Sequence, residues 1–115
     1  MSNEVQAATI RKKYSYLINY SSDDPTDPID PLSYLDSNGD ALIHIAASLG
    51  DVDTVRFLLN AGIDVALVGD MGSTALHYAL SNGAAEVASL LMERGAPTDI
   101  RDQFGKMPGE LPNVD

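Results

Sequence analysis

The feature that most constrains the fold of this chain is an internal repeat with a period of 33 residues. Residues 41–50 read ALIHIAASLG, and residues 74–83 read TALHYALSNG. From Asp36 onward the two copies align without a gap, and a third copy starts in register at Asp102. A fixed period of this length is typical of stacked arrays, in which each unit buries its apolar face only against its neighbours.

Within each copy the sequence predicts a turn followed by two short helices. In the first copy the helices are predicted over about residues 41–49 and 52–60. Gly50 and Gly62 follow these helices, as glycine does at left-handed helix ends. The residues predicted to face the core are Leu42, Ile45, Ala46, Leu49, Val55, Leu58 and Leu59.

The residues before the repeat are predicted to cap it. Asn3 and Gln6 have capping-box spacing, and an amphipathic helix of about four turns is predicted over residues 6–19. Its apolar face would carry Ile10, Tyr14, Leu17 and Ile18. Three prolines between positions 25 and 31 rule out a continuing helix. We expect this segment to cover the first repeat; the alternative is that the basic run at 11–13 touches a partner.

The charge is strongly negative, with 17 acidic and 7 basic side chains and a formal net charge of −10. Such a surface repels nucleic acid and anionic membranes and attracts basic partners, although the excess could also serve only to keep a monomer soluble. The chain has no cysteine, which excludes disulfides and thiol chemistry. Because neither a signal peptide nor a membrane span is recognisable, the expected location is the cytoplasm.

These residues and their spacing resemble the ankyrin repeat, whose consensus reads D-x-x-G-x-T-P-L-H-x-A-A-x-x-G and then V-x-x-L-L-x-x-G-A. The copies supply DSNGDALIHIAASLG with VRFLLNAGI, and GDMGSTALHYALSNG with ASLLMERGA. The resemblance implies an all-α solenoid of stacked helix-turn-helix units with hairpin-like loops. It divides the chain into an N-terminal capping helix and Asp/Pro-rich connection at 1–35, repeats at 36–68 and 69–101, and a truncated repeat or cap at 102–115.

The sequence departs from the consensus at a few positions. The Thr-Pro pair is replaced by Ala41-Leu42, Thr74-Ala75 and Met107-Pro108 in the three copies. Without threonine at position 41, one hydroxyl hydrogen bond is lost. Gly69 stands where the other two copies have aspartate.

The two histidines could by spacing alone be a metal pair, a catalytic pair or two copies of one structural part. The resemblance implies the structural role, in which each ring bonds backbone groups of the adjoining loops. Repeats stacked about 8–10 Å apart also place the rings too far apart to bind one metal directly. The residues with implied structural roles are His44, His77, Gly39, Gly50, Gly62, Gly72, Gly83, Gly95 and Gly105.

We predict a protein without catalytic activity and without a cofactor, because no nucleophile–base pair or phosphate-binding loop is recognisable. A metal-dependent enzyme that uses both histidines is the alternative. The aspartates at positions 23, 24, 27 and 30 could bind calcium, but their spacing lacks the glycine and distal glutamate of an EF-hand. A solvated turn explains them better.

The resemblance implies protein binding through the hairpin tips and the exposed side of the first helices, which together form a concave surface. The positions this assigns are Ser37, Asn38, Asp40, Ser48, Asp70, Met71, Ser73, Tyr78, Ser81, Asn82, Gln103, Phe104 and Lys106. Met71 and Phe104 occupy equivalent tip positions and could be apolar anchors, unless each folds back onto the neighbouring tip.

We expect the partner to be a basic protein and neither a nucleic acid nor a membrane. We expect the chain itself to be a monomer or a weak dimer. A small acidic ankyrin protein of bacterial type suggests an immunity-type inhibitor of a cationic toxin such as a nuclease. The second hypothesis is a general adaptor or assembly factor that holds a host enzyme.

Overall fold

Five α-helices make up the regular structure of the computed structural model, which describes residues 3–20, 22–24 and 26–109. They are α1 (Asn3–Lys13), α2 (Leu42–Leu49), α3 (Val52–Asn60), α4 (Ala75–Ser81) and α5 (Ala85–Glu93). A 3-10 turn at Asp70–Gly72 precedes α4. Backbone pairing in the described ranges amounts to two isolated antiparallel bridges, Leu35 with Ala41 and Val68 with Thr74, so the fold is all-α.

The helix pairs α2–α3 and α4–α5 stack on each other in two layers. α2 packs against α4 in the inner layer and α3 packs against α5 in the outer layer. Ala46 and Ala47 in α2 and Ala79 in α4 are completely buried. Their small side chains allow the two inner helices to approach closely.

The three turns before each helical unit share one closing hydrogen bond. We name residues 36–40 tip 1, residues 69–73 tip 2 and residues 102–106 tip 3. In each tip the N–H of the first residue donates to the carbonyl of the fifth, over 2.8 to 2.9 Å. The 33-residue period is therefore reproduced in the backbone of the tips.

The N-terminal helix is shorter than the sequence predicts. α1 ends at Lys13, and Leu17 N–H donates to Tyr14 O in the turn that follows. Tyr14 is buried and its hydroxyl donates to Asp51 at the start of α3, so the chain leaves the helical path there. Ile18 is exposed instead of completing an apolar face. The predicted cap at Asn3 concerns a side chain outside the described part of the structure.

The buried face of α2 also differs from the prediction. Leu49 was expected in the core but is 62% exposed, whereas Ile43 is buried. The reason is that α2 has neighbours on more than one side, and the centre of its buried face lies at Ile43, Ala46 and Ala47. Leu49 lies at the helix end, where Gly50 takes φ 73° and turns the chain away. The predicted C-terminal cap is described only as far as residue 109.

Candidate partner-binding surface

The two histidines use both ring nitrogens for backbone hydrogen bonds. His44 Nδ1 accepts from Ala41 N–H (2.9 Å), so its proton lies on Nε2, 2.9 Å from Leu67 O. His77 repeats this arrangement with Thr74 N–H (3.0 Å) and the carbonyl of residue 106 (2.9 Å). Each buried ring thus ties the start of an inner helix to the segment that leads to or forms the next tip. In the described ranges, no three His, Asp or Glu side chains converge as metal ligands would.

Hydrogen bonds join the three tips into a row. Asp70 N–H in tip 2 donates to the Asp40 carboxylate in tip 1 over 2.8 Å. Gln103 N–H in tip 3 donates to Met71 O in tip 2 over 2.9 Å. The tips therefore present one continuous edge.

Tips 1 and 3 begin with an aspartate, whereas tip 2 begins with Gly69. Asp36 accepts from two backbone N–H groups of its own tip, and Asp102 does the same. The pKa of Asp102 is lowered, mainly because its carboxylate accepts the hydrogen bond from the Lys106 N–H. Gly69 replaces this aspartate in tip 2, where a Cβ would lie 2.8 Å from the His44 ring and closer still to the Asp40 carboxylate. The structure thus explains why glycine stands at this position.

Tip 2, which has no aspartate at its first position, also differs from tips 1 and 3 in its backbone. Met71 has φ 59° and ψ 20°, in the left-handed region that non-glycine residues rarely adopt. Its side chain is 48% exposed, and Phe104 at the equivalent position of tip 3 is 71% exposed. Backbone strain of this kind concentrates at functional sites.

Tyr78 and Asp40, both assigned to the partner surface by the sequence, bond to each other. The tyrosine hydroxyl donates to the two carboxylate oxygens over 2.8 and 3.1 Å. Burial raises the pKa of Tyr78 well above its ordinary value, and the hydrogen bond to Asp40 and the charges of Asp40, Asp70 and Asp36 add to the effect. Half-buried Tyr78 therefore lies, protonated, among three aspartates at the foot of tips 1 and 2.

The predicted partner positions fall into two groups by exposure. Exposed are Ser37, Asn38, Met71, Ser81, Asn82, Gln103 and Phe104; half-buried are Asp40, Ser48, Asp70, Ser73, Tyr78 and Lys106. Two further exposed apolar residues, Leu35 and Val68, lie beside tips 1 and 2 and were not among the predicted partner positions. The 33-residue spacing of these two apolar residues was a sequence signal that could have found them. In the structure they occupy matching backbone bridges.

The family model that matches this chain is that of ankyrin repeats in three copies, over residues 7–102. The chain belongs to the ankyrin-repeat family. It is 41% identical over 66 residues to Ankyrin repeat-containing protein P1E11.10 of Schizosaccharomyces pombe, covering 57% of this chain and 32% of that protein. It is 34% identical over 77 residues to Probable 26S proteasome regulatory subunit p28 of Saccharomyces cerevisiae. This alignment covers 65% of this chain and 34% of that protein.

A human relative, Protein phosphatase 1 regulatory subunit 27, is 31% identical over 84 residues, covering 73% of this chain and 54% of that protein. The ankyrin chain described here thus spans between about a third and about a half of these relatives' lengths. Ankyrin repeats are protein–protein interaction modules and are generally not catalytic. Among the described residues, no helix has the length and apolar character needed to cross a bilayer.

Proposed function

We propose that this chain binds a basic protein partner through its three tips and the adjoining concave face. The observation that carries the proposal is the pair Met71 and Phe104, which stand exposed at matching positions of hydrogen-bonded neighbouring tips. Exposed apolar side chains with polar surroundings are typical of binding hot spots. Their separate exposure argues against the alternative in which each is covered by the next tip.

The charge of the same surface supports a cationic partner. The carboxylates of Asp36, Asp40 and Asp70 lie close enough to Tyr78 to influence its hydroxyl. Tyrosine provides a large amphipathic contact surface, and the carboxylates would attract lysine and arginine. The formal charge of −10 extends this attraction to longer range.

Two kinds of partner are compatible with this surface. The acidic charge supports an immunity-type inhibitor, in which the tips occupy the cationic nucleic-acid site of a nuclease. An adaptor that holds a host enzyme is supported by the names of the relatives, two of which are regulatory subunits. A bacterial source, a cytoplasmic location and a monomeric or weakly dimeric state stay predictions from the sequence.

The test is a pull-down from native lysate with the wild type and a Met71→Asp, Phe104→Asp double variant. A control variant, Leu49→Asp with Met92→Asp, adds the same charge at exposed apolar positions on helices α2 and α5. We expect one basic protein to be retained by the wild type and the control and to be lost from the tip variant. A nuclease whose activity falls on mixing would support the inhibitor; an enzyme whose activity persists in the complex would support the adaptor. Equal retention by all three proteins would show that the tips do not bind the partner.

A further inference from the structure

A second exposed apolar surface lies on the N-terminal segment, outside the tips. Tyr16 and Tyr20 are 65% and 54% exposed, and Leu32 and Leu35 are 46% and 54% exposed. We name these four residues the tyrosine face. The proposed function does not use it.

The two parts of the tyrosine face are held close together. The Asn19 side-chain amide donates to Pro28 O over 3.0 Å, which fastens the turn after α1 to the segment that leads into tip 1. Burial raises the pKa of Tyr34, which precedes Leu35 in the chain, and electrostatic interactions with Asp36, Tyr20 and Tyr16 raise it further.

A depression of about 180 Å³ opens beside the leucines of this face. Leu32, Tyr34, Leu35, Leu42 and Leu67 are among the residues that line it. Its walls are almost entirely apolar, so it suits an apolar side chain and offers little to a polar one.

The stretch of sequence that carries the tyrosine face is acidic, and the basic run at residues 11–13 precedes it. Residues 14–55 contain eight aspartates and no lysine, arginine or glutamate. Several of these carboxylates cap local turns, as Asp24 does for Thr26 and Asp30 for Leu32. The hydrogen bonds from Thr26 lower the pKa of Asp24. Lys13, at the end of α1, is already paired with Asp51 over 3.0 Å.

We propose that the tyrosine face binds an arginine-containing basic segment of a partner protein, with an apolar side chain of that segment in the depression beside Leu32 and Leu35. Guanidinium groups stack on tyrosine rings and form paired hydrogen bonds with carboxylates, so this combination favours arginine over lysine. The complementarity of charge makes an acidic or neutral segment a poor occupant. The proposal does not depend on binding at the tips.

The probe is a fluorescein-labelled peptide of alternating arginine and leucine, titrated with the full chain and followed by fluorescence anisotropy. Two control peptides replace every arginine by glutamate or every leucine by serine. The test variant is Tyr16→Ser with Tyr20→Ser, which keeps the net charge. Leu49→Ser with Met92→Ser is the matched control, and Met71→Ser with Phe104→Ser reports on the tips. Circular dichroism melts establish that each variant is folded.

We expect saturable binding of the arginine–leucine peptide, weakened about tenfold in the tyrosine variant and less than about twofold in the matched control. Both control peptides should bind much more weakly. Equal affinity of wild type and tyrosine variant, or no saturable binding by the wild type, would overturn the proposal. Loss in the tip variant alone would place the peptide at the tips, which would support the proposed function and reject this inference. A wild-type dimer that the tyrosine variant abolishes would show that the face binds a second copy instead.

Discussion

At the scale of single residues, tip 2 shows how one missing side chain determines its neighbourhood. Gly69 leaves space that is filled by the His44 ring and the Asp40 carboxylate. That carboxylate then accepts from Asp70 N–H and from the Tyr78 hydroxyl. A residue in one tip thus supplies the acceptor that the next tip lacks.

Gly69→Ala should destabilise the protein by about 1–3 kcal/mol, because the new methyl group would overlap His44 and Asp40. The φ angle of Gly69 is −110°, so the left-handed penalty does not apply. Gly39→Ala is the control: its φ is 92° but the space around it is open, so it should cost about 1 kcal/mol from the backbone alone. Urea denaturation measures both. A Gly69→Ala protein as stable as the wild type would show that the contact is relieved by a small shift.

At the scale of elements, Asp51 joins the N-terminal segment to α3. Its carboxylate caps α3 through Thr54, accepts from the Tyr14 hydroxyl (2.7 Å) and pairs with Lys13 (3.0 Å). Burial alone would raise the pKa of Asp51, but the hydrogen bonds from Thr54, Tyr14 and Lys13 outweigh it and hold the pKa below its ordinary value. Asp51 thus supplies a polar attachment between α3 and the end of α1.

The depressed pKa of Asp51 predicts a loss of stability in acid. A carboxyl group with a lowered folded-state pKa stabilises the fold above its unfolded value of about 4 and loses that contribution as pH falls further. Asp51→Asn should therefore cost about 1–2 kcal/mol at pH 7 and have a smaller effect at about pH 3. Asp53→Asn is the control, since the side chain of Asp53 is 85% exposed. The measurement is urea denaturation at both pH values; an Asp51→Asn effect that is the same at both would contradict the role of its charge.

The parts of the fold that the sequence predicts well are those in which the determining contacts are local. Helices α2 and α3 follow from spacing and from the glycines that end them, and the 33-residue period carries the same pattern to α4 and α5. The end of α1 depends on a hydrogen bond between Tyr14 and Asp51, which are 37 positions apart. The link between Tyr78 and Asp40 spans 38 positions. No local pattern encodes such partners, and for this reason the path of residues 14–35 and the bonding within the candidate site were not predictable.

At the scale of the whole molecule, the two histidines join different parts of the array. His44 connects α2 to Leu67, between the two stacked helix pairs, whereas His77 connects α4 to tip 3. Contacts in the middle of a stack support units on both sides, while contacts at the end support one. The two equivalent histidines should therefore differ in their contribution to stability.

His44→Ala should cost about 3 kcal/mol, because it leaves buried backbone groups unpaired and separates the two helix pairs. His77→Ala should cost about 1–2 kcal/mol, since it releases mainly tip 3. The substitutions are chemically identical and 33 positions apart, so each is the control for the other. Chemical denaturation followed by circular dichroism gives both values. Equal costs would show that position in the array does not matter.

The shared carboxylate of Asp40 limits how this chain can have grown by duplication. A second copy of residues 69–101 placed after the first would bring its glycine next to Ser73, which stands 33 positions after Asp40. The new tip would then have no aspartate at its first position and no neighbouring carboxylate at the position of Asp40. Copying residues 36–68 instead would keep a tip with Asp40 as the tip that precedes Gly69 and tip 2 in every product. Segments of this array are therefore not interchangeable, and lengthening by tandem copying is expected to keep a tip that ends with an aspartate, as tip 1 does with Asp40, before each tip that begins with a glycine.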